Sequence, residues 1–155
     1  MSSSVPVTPV FQRLDRHDIP AIMPVEREAY PDPWTQGMFR QEVTNRSSYF
    51  YVAYEGDLLI AYGGFWLVLD EAHVTKVTVR AERRGQGLGR ALMLFLLEEA
   101  RRLDAETVRL EVRESNRFAR MLYRTLGFRE VGIRAGYYTR SLENAVVMVL
   151  DFTAE

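Results

Sequence analysis

Cysteine is absent from the 155 residues. Thiol nucleophiles, thiolate metal ligands, iron–sulfur clusters and disulfides are therefore excluded, and a chain without thiols fits a reducing compartment. Histidine is scarce: His17 and His73 are the only two, too few for a histidine-rich metal site or a convincing Ser-His-Asp order, so neither a metal nor an acyl-enzyme is expected. Lysine is scarcer still. Lys76 is the only lysine among 20 basic residues, a bias that a codon preference for arginine explains more simply than function does. A formal charge of −1 supplies no global field for nucleic acid or an anionic membrane, so any anion site must come from local clustering. The longest uncharged run, residues 58–69, falls far short of the ~20 apolar residues that span a bilayer, and Gly63 and Gly64 interrupt it. Met1-Ser2-Ser3-Ser4 carries no basic or apolar leader region, so a cytoplasmic protein is expected.

What is present, 47% hydrophobic, 26% charged and 12% aromatic residues, is the profile of one ordinary globular domain. It is placed at 10–155, with 1–9 a flexible tail. A chain this long buries roughly 70% of the surface its unfolded form exposes, enough for a core without staples. Residues 10–14 read as a strand, and Asp18 with Pro20 as the start of a helix reaching about residue 29. Pro31 and Pro33 break the chain before Trp34, and Thr35 then caps a second helix over 36–43. Residues 49–55, 58–69 and 72–79 form an antiparallel meander. Leu88, Ala91, Leu92, Phe95 and Leu103 recur at helical spacing, 107–112 is a strand, and Asn116 caps a helix whose apolar stripe is Phe118, Met121, Leu122 and Leu126. Gly127 ends that helix, and strands at 129–133 and 145–152 close the chain. Strands and helices interleave, so the fold class is α/β around one mixed sheet.

The informative stretch follows Val79. Arg84-Gly85-Gln86-Gly87-Leu88-Gly89-Arg90 runs from a strand into an apolar helix, which lets backbone N–H groups converge on an anion at a helix start. Residues 80–90 hold four arginines and one glutamate, a local surplus of positive charge pointing the same way. No Lys-Ser or Lys-Thr follows the glycines, and Gly-x-Gly-x-Gly after a meander is not the dinucleotide spacing, so neither nucleotide fold fits. A tight turn holding no ligand would use the same glycines.

Arg84-x-x-Gly87-x-Gly89 resembles the acyl-CoA signature of the GNAT family of N-acetyltransferases. The order of elements matches that family over about residues 10–152. Further stretches resemble its RimI-type branch, the ribosomal-protein alanine N-acetyltransferases: Pro33-Trp34-Thr35, Leu110-Glu111-Val112-Arg113-x-Ser115-Asn116, Leu122-Tyr123-x-x-Leu126-Gly127-Phe128 and Gly136-Tyr137-Tyr138. Thr139 departs from that branch's proline and Glu143-Asn144 from its acidic pair, both near the acceptor end. The resemblance implies a single mixed, mostly antiparallel sheet flanked by helices, acetyl-CoA as donor, and the N-terminal amine of a protein, by family analogy a ribosomal protein, as acceptor.

The resemblance also implies roles. Backbone groups of Val77 and Val79 would pair with the pantetheine arm, amides from Arg84 to Arg90 would take the pyrophosphate, and Asn116 would bond the arm while capping its helix. Val77 and Val79 are equally core residues of a strand, and the cap alone explains Asn116. An α-amine with a pKa of about 7.7–8.0 is roughly a tenth to a sixth neutral at pH 7, against well under a thousandth of a lysine, so it is the easier acceptor. Glu111 would be the base if burial raised it or a water relayed the proton, unless it sits on a solvent-facing strand position. Tyr123 would protonate the leaving thiolate or simply pack in the core. Trp34, Tyr137 and Tyr138, taken as loop residues, would line the acceptor groove or fill the core. Rival readings are a small amine or lysine side chain as acceptor, and a CoA-binding module without turnover.

Overall fold

The computed structural model describes residues 8–138 and 142–153. Seven strands, β1 Phe11–Arg13, β2 Ser48–Glu55, β3 Leu58–Val68, β4 Glu71–Val79, β5 Thr107–Arg113, β6 Arg129–Tyr138 and β7 Glu143–Asp151, form one sheet in the order β1-β2-β3-β4-β5-β7-β6. Only the β4–β5 pair is parallel. Helices α1 Ile19–Ala29, α2 Gln36–Thr44, α3 Leu88–Arg102 and α4 Arg117–Thr125 cover its faces. The expected mixed, mostly antiparallel sheet is observed.

Alternation along the strands builds two cores, one on each face. On β2, Phe50 and Val52 turn to Ile22 of α1 and Phe39 of α2, whereas Tyr51 turns to the opposite side. That side holds Leu92 and Leu96 of α3 with Val108, Leu110 and Met148. On β5 the alternate residues, Thr107, Arg109, Glu111 and Arg113, consequently share the α1 side. Phe39 and Leu92 are fully buried, and cutting either to alanine would cost about 2–5 kcal/mol.

Local chemistry sets the helix ends, with two departures from expectation. Thr35 accepts from the Met38 amide at 3.2 Å and Asn116 from the Ala119 amide at 3.1 Å, as expected. Asp18 does not cap α1. Asp15 caps a short 3-10 turn, Arg16–Asp18, that leads into the helix, and the Asp18 carboxylate instead accepts from the Asp15 amide and, at 2.8 Å, from the Tyr54 hydroxyl. On α4 the expected stripe is rotated by one residue. Phe118 and Met121 are 78% and 64% exposed, while Ala119, Leu122, Tyr123 and Leu126 face the core. Both sets have helical spacing, but only the second turns its Tyr123 ring onto Phe128, 5.9 Å away. The end of α4 fixes that contact: Gly127 sits at φ 104°, and the Phe128 amide donates back to the Tyr123 carbonyl at 3.0 Å.

The site depends on how β4 meets its neighbours. Gly64 pairs with Lys76 but Phe65 with Val74, so Thr75 is an extra residue and β4 changes face there. Before it Ala72 and Val74 pack towards α3; after it Val77 and Val79 do, and Lys76 is buried near Glu26 on the α1 side. Gly63 and Gly64 permit the close passage, since a Cβ on Gly64 would lie 2.5 Å from the Tyr49 carbonyl oxygen. β4 pairs with β5 only over Glu71 to His73 and then leaves it, while β5 stays paired with β7 as far as Arg113. The two strands separate, and the gap between them is open to solvent. The last strands differ in extent from expectation: the strand placed at 129–133 continues to Tyr138 and the next begins at Glu143, so Tyr137 and Tyr138 are strand residues rather than loop residues.

Candidate functional site

The gap between β4 and β5 is a cavity of about 560 Å³. Thr75, Lys76 and Val77 form one wall, Glu111 to Arg113 the other, and Asn116 and Tyr123 of the α4 region close one side. Tyr30, Asp32 and Trp34 from the α1–α2 connection, with Tyr137 and Tyr138 from β6, close the opposite side. A second hollow of about 340 Å³, beside His17 and Arg40, holds none of these groups. The cleft thus gathers Val77, Glu111, Asn116, Tyr123, Trp34, Tyr137 and Tyr138 from five segments of chain.

Val79 and the glycine loop continue from one end of the cleft wall. The Arg80 amide donates to Ile60 on β3, so alternation turns the backbone groups of Val79 and Val77 away from β3 towards the gap. Their carbonyls are reached there by the Arg84 guanidinium (3.2 Å) and the Tyr30 hydroxyl (3.3 Å). Gly85 and Gly87 adopt φ of 78° and 83°, and nothing lies within 4 Å of where their Cβ atoms would stand. Gly87 caps α3 without a side chain, leaving the amides of Leu88, Gly89 and Arg90 facing outward at a helix start. Leu88 offers only its backbone, because its side chain is buried with Ala53 and Ile60. Gln86 is exposed. The surplus positive charge is smaller in space than in sequence. Arg83 pairs with Glu55 of β2 at 2.7 Å and Arg80 with Glu82 at 3.4 Å, which leaves Arg84 and Arg90 as the loop cations without a carboxylate partner among the described residues.

At the junction of the strands lies a group that sequence reasoning missed. His73 Nε2 is 2.6 Å from Glu111 Oε1, and Arg109 Nη1 donates to Glu111 Oε2 at 2.8 Å. The Glu111 side chain is 4% exposed, so it does not occupy a solvent-facing position. Burial pushes its carboxyl up, but the hydrogen bond and charge of His73, with Arg109 and Arg134, outweigh that and hold it below the ordinary range. Of the two conditions under which Glu111 would be the base, a carboxyl raised by burial is therefore not met. Proximity of His73 to Glu111 follows from the His73–Arg109 register, which no local pattern announces. Burial pushes the Tyr123 phenol up to about 12, so it stays protonated near neutrality.

The aromatic side is tied down by another carboxylate. Glu26 of α1 accepts from the Trp34 amide (2.9 Å), the Tyr62 hydroxyl (2.7 Å) and the Lys76 ammonium. That ammonium also lies 4.0 Å from the Tyr30 ring centre and 4.3 Å from that of Trp34, and burial draws its pKa down despite Glu26. Trp34 both lines the cleft and packs on Phe39 and Phe50. Tyr137 and Tyr138 stack edge to face at 5.0 Å, with Arg113 over the Tyr138 ring. Of the departures, Thr139 lies outside the described residues. Glu143 and Asn144 tie strands together: Glu143 accepts from the Ser115 amide (2.7 Å), and Asn144 accepts from the Gly136 amide (3.0 Å). Neither lines the cleft. No group of three or more potential metal ligands occurs among the described residues, and no described helix is long and apolar enough to cross a membrane.

Comparison with known proteins bears on the whole arrangement. Residues 19–128 match the model of the acetyltransferase (GNAT) family. The [ribosomal protein bS18]-alanine N-acetyltransferase of Escherichia coli (strain K12) is 37% identical over 142 residues, 90% of this chain and 95% of its own length. The enzyme of the same name from Salmonella typhimurium (strain LT2) is 34% identical over the same shares. The crystal structure of the ribosomal-protein-S18-alanine N-acetyltransferase from Escherichia coli superposes with a TM-score of 0.85 at 32% identity, covering 95% of this chain and 96% of that one. A strand pair that parts beside a glycine-turned helix start, in a chain related to these enzymes along nearly its whole length, places the protein: it belongs to the acetyltransferase (GNAT) family.

Proposed function

We propose that this protein moves an acetyl group from acetyl-CoA to the N-terminal α-amine of a protein, by direct transfer in a ternary complex, with residues 10–155 acting as one domain in the cytoplasm. The observation that carries the reading is the parting of β4 from β5 after His73, which opens one cleft between outward-facing backbone groups and a cluster of acid–base side chains. The relatives' names point to an alanine of a ribosomal protein as acceptor.

The donor fits this chain at the glycine loop. The open space above Gly85 and Gly87 and the uncapped start of α3 suit a pyrophosphate, with Arg84 and Arg90 adding charge. Gap-facing backbone amides of Val77 and Val79 suit an extended amide-bearing arm laid along the strand, and Asn116 stands beside it. Acetyl-CoA supplies the thioester. Within the cleft the acceptor nitrogen must reach the reaction neutral, and Glu111 belongs to the group that receives its proton. At the opposite side Tyr123 faces the leaving sulfur. A phenol near 12 cannot readily hand its proton to a thiolate whose conjugate acid has a pKa of about 8.5, so its main contribution is a hydrogen bond to the developing charge. Trp34, Tyr137 and Tyr138 bound the acceptor's approach.

The test is a reaction with acetyl-CoA and a peptide that begins with alanine and contains an internal lysine, the modified nitrogen being located by fragment mass spectrometry. Acetyl on the N-terminal nitrogen is expected. Acetyl on lysine alone, or on neither nitrogen while acetyl-CoA binds, overturns the acceptor assignment.

A further inference from the structure

The carboxylate that family resemblance marks as the base is poorly placed to act alone. Both its oxygens are engaged, Oε1 by His73 and Oε2 by Arg109, and its side chain is 4% exposed against 21% for His73. An ionised carboxylate only accepts hydrogen bonds, so the nitrogen facing it, Nε2, must carry the hydrogen. The lone pair is then on Nδ1, for which the described residues provide no partner, and the imidazole lines the cleft.

We propose that His73 is the proton acceptor of the reaction and that Glu111 is its positioning partner, holding the imidazole in the Nε2–H form and stabilising the imidazolium. The inference rests on the acetyl-transfer reading above. As the acceptor nitrogen forms its bond to the thioester carbon, the proton it loses goes to His73 Nδ1. The carbon–sulfur bond then breaks, the sulfur leaves hydrogen-bonded to Tyr123, and His73 returns its proton to the sulfur. One proton leaves nitrogen and one reaches sulfur, so the step balances without any further reactant. An imidazole suits the task because its unperturbed pKa, about 6.5, lies near the working pH, whereas a carboxylate held below 4.5 is a weak base. The groups facing the pair are Arg109 on β5, Arg134 and Tyr137 on β6, and Trp66 on β3, edge-on to His73 at 6.3 Å. Lys76 and Tyr30 line the same cavity.

Two experiments test this. With only two histidines in the chain, ¹⁵N-histidine NMR of the wild-type protein reads the His73 tautomer directly, the His17→Gln variant giving the assignment. Nε2–H is expected and Nδ1–H overturns the proposal, whatever the activity. In the second, His73→Gln, which can still donate an amide hydrogen bond to Glu111, is compared with wild type in acetylation of the alanine-first peptide. The expected result is a fall in kcat of about 10²-fold or more, with the KM for acetyl-CoA within about twofold and the acidic limb of the kcat/KM profile lost. Added imidazole is expected to restore turnover to His73→Ala. A His73→Gln kcat within about threefold of wild type overturns the proposal, as does a larger fall with the acidic limb unmoved and no imidazole rescue. Wild type that fails to acetylate the peptide refutes the functional reading instead, while the tautomer measurement still decides the pairing.

Discussion

Two buried carboxylates on the α1 side of the sheet have opposite surroundings. Glu26 is fully enclosed and meets three donors, the Trp34 amide, the Tyr62 hydroxyl and the Lys76 ammonium, so each oxygen is satisfied by a fixed group. Glu111 is nearly as buried, but one of its partners is an imidazole that reaches the cleft, a group able to gain and lose a proton. Burial with permanent partners makes a strut; burial beside a group that can gain and lose a proton makes a working site. Glu26 anchors Trp34 and Lys76 under the aromatic side of the cleft, and Glu111 sits where the strands part.

The comparison can be broken from either side. Glu111→Gln should lower kcat by about 10²–10⁴-fold in the peptide assay while the protein remains folded by circular dichroism. Glu26→Ala should do the reverse, costing about 3–5 kcal/mol in urea denaturation because Lys76 is left buried without its counter-ion. The paired change Glu26→Gln with Lys76→Met should recover most of that loss, and a double variant no more stable than Glu26→Ala would refute the strut. Tyr123→Phe should lower kcat by about 10²-fold, as loss of one donor to a developing anion does, with stability changed by about 0.5 kcal/mol or less. Asn116→Ala should cost about 1 kcal/mol through the lost cap on α4, measured by thermal denaturation. The smallest effect concerns pH. Glu111 is held below its unfolded value, so its contribution to stability is full above about pH 4.3 and fades as the pH falls through its folded value. The stability gap between wild type and Glu111→Gln should therefore narrow on acidification below pH 4.

Much of the frame was legible because it is local. The meander, the cap at Thr35, the glycine-rich turn into α3 and the Gly127 terminus each follow from neighbours within a few residues, and the structure has all of them. The misread stripe of α4 shows the limit of periodicity. Phe118, Met121 and Leu122 have as good a helical spacing as Ala119, Leu122 and Tyr123, and only the position of Phe128 and β7 decides which face turns inward. The surplus of loop arginines was overstated for a related reason: Glu55, 28 residues before Arg83, neutralises part of it across space.

By itself the sequence determined the element order, the family and the chemical types available, because glycine conformation, capping and alternation act over short stretches and Cys and His counts bound the chemistry. Tertiary structure alone decided which groups meet. The extra residue at Thr75 turns Lys76 to the α1 side, the divergence of β4 from β5 opens the cleft, and the His73–Arg109 register brings an imidazole to a carboxylate 38 positions away. That contact also reverses the sign of the Glu111 shift. Burial alone would raise a carboxyl, and only the three-dimensional placement of His73, Arg109 and Arg134 supplies the opposing hydrogen bond and charge.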